Sequence, residues 1–250
     1  GDFFKGDSDD ISDEDQFNPK LGVKWNPMEN TTIRAAAFRV LKRTLITDQT
    51  LEPTQVAGFN QFFDDVNGTK AWRLGAAVDQ KLLKTLFGGV EYSYRDMKVP
   101  YNPEPGKVSK ADWNEEMLRA YLYWAPHRML ALSADVLWES YDRDDDFADG
   151  AKEVETISLP LGVNFFHPSG ISASATGTYI DQDGKYEEST QIGVFEDGDD
   201  SFWLFDLALN YRLPKRLGFV SVGVNNVFDE DFNYYDTDAD NPRIQPERFF

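Results

Sequence analysis

The 250 residues contain no cysteine and only two histidines, His127 and His167. Without cysteine there is no disulfide scaffold and no thiolate-ligated zinc or iron–sulfur site. Two histidines cannot build a multi-histidine metal centre. Cations are also scarce, with 25 Lys and Arg against 44 Asp and Glu and a net charge of −19. Binding nucleic acid requires clustered Lys and Arg to neutralise phosphates, so that class of partner is excluded. No stretch approaches the ~20 consecutive apolar residues of a membrane-crossing helix. No secretory leader opens the chain, and "GDFFKGDSDD" reads as the interior of a loop. The 250 residues are therefore read as one domain belonging to a longer protein.

Aromatic residues, by contrast, are abundant: 19 Phe, 11 Tyr and 6 Trp at a mean hydropathy of only −0.53. They fall into a period of two. Trp72, Leu74, Ala76 and Val78 alternate with Arg73, Gly75, Ala77 and Asp79; Leu118, Ala120, Leu122 and Trp124 alternate with Arg119, Tyr121 and Tyr123. Similar alternation marks 90–95, 130–139, 157–165, 171–179, 203–212 and 220–225, and appears less cleanly near 19–26 and 32–43. Each segment has an apolar face and a face of charges, hydroxyls or glycine, the pattern of a strand with two different environments. Ten such strands are counted, with an eleventh beginning at "RFF" (248–250).

Alternation alone also suits a soluble sheet, but three further features favour a bilayer. The strands are long enough for a tilted crossing. Aromatics such as Trp72, Trp124, Trp138, Phe165, Tyr179, Trp203 and Tyr211 sit near the ends of the apolar faces, as interfacial girdles do. The connections also alternate between short turns ("NPMENT", "LLKTLFGG", "APHRM", "FHPSG", "LPKRLG") and long segments near 1–17, 44–70, 97–112, 141–155, 181–200 and 229–247. Most of the acid lies in four of the long segments. Short turns on one rim and long loops on the other characterise outer-membrane barrels. The expected fold is an all-β, antiparallel, up-and-down transmembrane β-barrel, of which these ten strands and the start of an eleventh are part. Its setting is the Gram-negative outer membrane, and its nearest partner is outer-membrane lipid.

Two stretches sharpen this reading. "VNNVFDEDF" (224–232) and "PERFF" (246–250) resemble the penultimate strand exit and last-strand start of TonB-dependent receptors, with Val224, Asn226, Val227, Phe228, Asp229 and Phe232 at the matching places. "FNPKLGVKWNPMENTTIRAAAFR" (17–39) resembles the same family's strand–turn–strand unit. The resemblance implies a 22-stranded barrel, an upstream plug domain and ligand uptake energised by a periplasmic protein; the plug is not in these residues. An export barrel for polysaccharide secretion remains open, as does a non-transporting surface anchor.

Candidate sites follow from the pattern. Arg73, Arg95, Arg119 and Arg212, with Glu91, Asp135, Asp79, Glu139 and Asp206, fall on the lumen-facing side, where they either pair across strands or line a water-filled path. The loop 50–69 carries Phe59, Phe62 and Phe63, which either contact ligand or fold inward as a constriction. Asp236, Asp238, Asp240 and Glu247 have the 1, 3, 5, 12 spacing of a calcium loop, with Asn241 where glycine is usual. Catalysis is not expected: His127 and His167 lie in short turns, without a spaced serine–acid pair.

Overall fold

The structure, a computed structural model, describes residues 2–4, 14–42, 55–61, 65–104, 107–143, 150–187, 194–235 and 248–249. Its strands are β1 (Asp2–Phe4), β2 (Glu14–Gln16), β3 (Lys20–Met28), β4 (Thr31–Leu41), β5 (Gln55–Val56), β6 (Phe59–Asn60), β7 (Lys70–Leu83), β8 (Leu86–Glu104), β9 (Lys107–His127), β10 (Leu130–Arg143), β11 (Ala151–Phe166), β12 (Ile171–Glu187), β13 (Phe195–Arg212) and β14 (Phe219–Val224). Ten of them form one antiparallel meander, in the order β14-β13-β12-β11-β10-β9-β8-β7-β4-β3. These are the ten segments that alternate in the sequence. β1–β2 and β5–β6 are separate two-stranded ribbons.

Period-two patterning divides the large sheet into two chemically different faces. On the outer face Trp25, Leu74, Val90, Leu122, Leu161, Leu207 and Val222 are all exposed. An apolar surface this continuous is not stable against water; it is the surface of a wall meant for hydrocarbon. The inner face is the one onto which loop segments fold, and there the polar members of each alternation collect. The sheet is not closed: β3 and β14 are its edges. An antiparallel bridge joins Asn225 to Phe249, so the eleventh strand begins beside β14.

The strands outrun the bilayer. β8 has 19 residues and β9 has 21, where a tilted crossing uses ~9–11. The segments 97–112, 141–155 and 181–200, expected as long loops, are largely continuations of the hairpins. Lys98 pairs with Asp112, Asp142 with Glu153, and Lys185 with Asp197 in register. Above the membrane both faces meet water, so the apolar–polar contrast that reveals a strand vanishes while its hydrogen-bond ladder continues.

All the turns at the other end are tight: Glu29–Asn30, Lys84–Thr85, Arg128–Met129, Pro168–Gly170 and the 3-10 turn Pro214–Arg216. Gly170 needs to be glycine, with φ +95 and no room for a Cβ against the Arg212 carbonyl.

Candidate functional site

The inner-face charges are arranged in rows across the strands. One row runs Arg34, Ala77, Glu91, Arg119, Leu137, Ser158 through β4, β7, β8, β9, β10 and β11. The row beside it, toward the short turns, holds Asp79, Gly89, Tyr121 and Asp135. Arg34 Nε donates to Asp79 Oδ2 at 2.7 Å and Nη2 donates to Glu91 Oε2 at 2.8 Å. Gly89 leaves a gap between Asp79 and Tyr121. The Tyr121 ring lies over that gap and its hydroxyl donates to Asp79 Oδ1 at 2.7 Å; a Cβ on Gly89 would come 2.6 Å from that hydroxyl. Arg119 closes the row, donating to Asp135 at 2.6 Å and to the Tyr123 hydroxyl at 2.6 Å, and its guanidinium lies 5.2 Å from the Tyr121 ring centre.

Nearer the long-loop end, Arg73 and Arg95 are directly paired across β7 and β8. Like charges side by side repel, and the surroundings compensate. Arg95 bonds Asp65 at 2.6 Å and Glu115 at 2.5 Å. Arg73 donates to Ser93 Oγ at 3.0 Å and to the Asn60 carbonyl at 3.1 Å. Both guanidiniums are buried, which is stable only with such partners.

Two segments fold inward. The β5–β6 hairpin rests on β4 and β7: Phe59 is buried in a cluster with Ala36, Phe38 and Ala77. Its ring occupies the space over Gly75 that a side chain there would fill, with the Arg34 guanidinium 5.3 Å from the ring centre. The second is the strap 226–235, where the chain leaves β14. Asn226 is buried with φ +48, a conformation asparagine tolerates. Its backbone N–H donates to Asp206, and its side-chain amide exchanges two hydrogen bonds with the Glu230 backbone. Phe232 then stacks on Phe202 with ring centres 4.3 Å apart. Gln182 clamps Tyr235 by accepting from its N–H at 2.8 Å and donating to its carbonyl at 3.1 Å.

Of the residues singled out from sequence, Arg73, Arg95, Arg119, Glu91 and Asp135 all join this face. Arg212 shares the parity but is exposed at the short-turn end and makes no ion pair among the described residues. Phe59 packs inward; Phe62 and Phe63 lie outside the described residues, as do Asp236, Asp238, Asp240 and Glu247. Among the described residues no group of three or more His, Asp or Glu is arranged to hold a metal ion. His167 Nδ1 lies 2.8 Å from Ser169 Oγ, bracing an exposed turn. Sequence reading missed Arg34, whose segment alternates weakly around Ala35–Ala37, and Gln182; it named Asn226 as a motif position but not its work, which like that of Gln182 is to hold backbone rather than carry charge.

The outer face above the aromatic girdle is acidic. Trp138 Nε1 donates to Glu155 at 2.9 Å, and Lys185 bonds Glu153 at 2.9 Å. Partial desolvation raises the Asp183 carboxyl above its ordinary pKa, and repulsion from Glu155, Asp181 and Asp199 raises it further.

No family model matches the chain, and no curated protein does. Among solved structures it is similar to the FrpB iron transporter from Neisseria meningitidis (F3-3 variant), at 17% identity and a TM-score of 0.54, over 85% of this chain and 35% of that one. At this identity the likeness is one of fold: the ten-stranded sheet is a stretch of antiparallel β-barrel wall, and the chain spans about a third of that transporter's length.

Proposed function

We propose that the chain is part of an outer-membrane transport barrel that takes up a ligand in the manner of TonB-dependent receptors, with a plug domain and closing strands supplied by other parts of the protein. The observation that carries this is the contrast between faces. An apolar outer surface meets lipid, while the inner surface is built of paired charges and carries two loop segments folded onto the wall. A barrel serving only as an anchor does not need buried arginines on its inner face. Open edges within hydrocarbon would leave N–H and C=O groups unbonded at several kcal/mol each, so further strands must complete the ring. The likeness to FrpB supports the barrel; iron, the cargo in that transporter's name, is the first ligand to supply.

The experiment is uptake in a strain deleted for the full-length gene. Lost accumulation, restored by the complete gene and abolished by a protonophore, is the expected result. Unchanged uptake of every ligand supplied, with loss of a secreted polymer instead, would replace import with export.

The acidic loop with Asp236, Asp238, Asp240 and Glu247 is proposed as a calcium loop, because its sequence has the 1, 3, 5, 12 spacing of one. Calcium is then expected to raise the thermal midpoint of the purified full-length protein, and D236N/D238N to remove most of that increase. An equal calcium response in the variant would refute a metal site in this loop.

A further inference from the structure

The inner face carries two hollows. The upper, about 460 Å³, is bordered by Arg73, Arg95, Trp113 and Tyr141 among others. The lower, about 270 Å³, lies nearer the middle of the wall against Ser158, Thr178, Asp206 and Asn226. Glu139, Thr156 and Tyr234 border both. Glu139 and Thr156 are partners across β10 and β11 and belong to the sheet. Tyr234 belongs to the strap, and it alone of the three shared residues could move without unzipping the wall.

The strap is held by side chains rather than by a backbone ladder over most of its length. Asp200 accepts from the Asn233 N–H at 2.6 Å, Gln182 clamps Tyr235, Phe202 stacks on Phe232, and Tyr234 meets Phe202 edge-on at 6.4 Å between ring centres. The chain turns into the strap at Asn226 and Asp229, both with positive φ. Such an element can lift about its base, because none of the described strap residues 230–235 is paired in a strand.

We propose that Tyr234 is the constriction residue of a polar path along the inner face, and that movement of the strap joins the two hollows into one passage. The lower hollow defines what passes. It is bordered by the carboxylates of Glu139 and Asp206, the latter accepting from the Asn226 N–H, and by the hydroxyls of Thr156, Ser158 and Thr178, and among the described residues no Lys or Arg borders it. Acceptors without cations favour small hydroxylated or cationic solutes and oppose anions. The proposal rests on the transport reading above.

The test uses the full-length protein in its native outer membrane and reads thiol modification from outside. These 250 residues contain no native cysteine, so each introduced thiol is identified on its own peptide by mass spectrometry. S158C reports on the lower hollow and V66C, exposed beside the upper one, reports on access to the wall. Small impermeant methanethiosulfonates, one cationic and one anionic, are the probes. V66C is expected to react quickly whether or not Tyr234 is present. S158C is expected to react slowly with Tyr234 in place, severalfold faster in Y234A, and slowly again in Y234F, which keeps the ring; the cationic reagent should outpace the anionic one. Equal S158C rates in the parent, Y234A and Y234F overturn the constriction, and a faster anionic reagent overturns the assigned solute class. A V66C that fails to react from outside sinks the transport reading's orientation as well, which separates the two failures.

Discussion

Arg34 shows how much of the inner face depends on single atoms. Its guanidinium holds Asp79 and Glu91 together, and neither carboxylate is more than partly exposed. R34M keeps much of the volume but strands two negative charges beside one another where they are partly buried and poorly screened. The expected loss is about 1–3 kcal/mol of unfolding free energy, measured by urea titration of the full-length protein in detergent micelles. R34M/D79N/E91Q should recover most of it, since removing the stranded charges removes their desolvation cost; a triple variant no better than R34M would show that Arg34 acts through packing alone. Asp183 makes the opposite case, outside the bilayer. Its folded pKa lies above the unfolded value, so the folded state binds its proton more tightly than the unfolded state does. The charged form therefore opposes folding at neutral pH, and that penalty disappears as pH falls through the folded pKa. D183N should raise the thermal midpoint at pH 7, and the gain should shrink to nothing in acid. A gain that persists at low pH would mean that the neighbouring carboxylates and desolvation are not its cause.

At the scale of elements, the main apolar contact of the β5–β6 hairpin is a complementary pair, Phe59 over Gly75. F59A should cost about 3–5 kcal/mol through the cavity left among Ala36, Phe38 and Ala77. G75A should cost about 1–3 kcal/mol because its methyl enters the ring's space. The double variant is expected to lose less than the sum, since the methyl of G75A then part-fills the cavity that F59A leaves. Strict additivity in chemical denaturation would mean that the hairpin does not rest where the structure puts it. Which elements could be read from the sequence follows from the same physics. Inside the bilayer the two faces of a strand meet opposite solvents, so Trp72–Val78 or Leu118–Trp124 announce themselves by alternation. Beyond it, "DQDGKYE" (181–187) is polar on both sides, and only its ladders to β11 and β13 identify it as strand. Arg73 and Arg119 were legible as inner-face charges because each sits between apolar neighbours, and Arg95 because it follows the alternation of Val90, Tyr92 and Tyr94. Their partners were not: Asp65 arrives from a loop, and Tyr121 reaches Asp79 only because Gly89 is empty. The strap was hidden more deeply, since "NNVFDEDFNYY" (225–235) names the exit from a strand but not the face onto which the chain folds.

The molecule as a whole makes sense only if its two faces meet different media, and that can be tested by moving one charge across the sheet. Leu161 on β11 points outward and is exposed, in register with Gly177. Thr176, one residue away on β12, points inward and is in register with Asp206 on β13. L161R places a guanidinium in hydrocarbon near the bilayer middle, where such a substitution costs about 2–4 kcal/mol. T176R places the same group on the polar face, beside a carboxylate that can bond it, so its effect should be small. Both variants are compared in the full-length protein by denaturant unfolding from lipid vesicles, where the outer face keeps its natural solvent. If the wall stands in a membrane, the two arginines differ by most of the transfer cost, although their Cα positions are neighbours. Were they to destabilise equally, the apolar face would be buried against protein rather than lipid. The open ten-stranded sheet would then have to be completed by a second layer, because a sheet with one face in lipid can satisfy its edges only by closing on further strands.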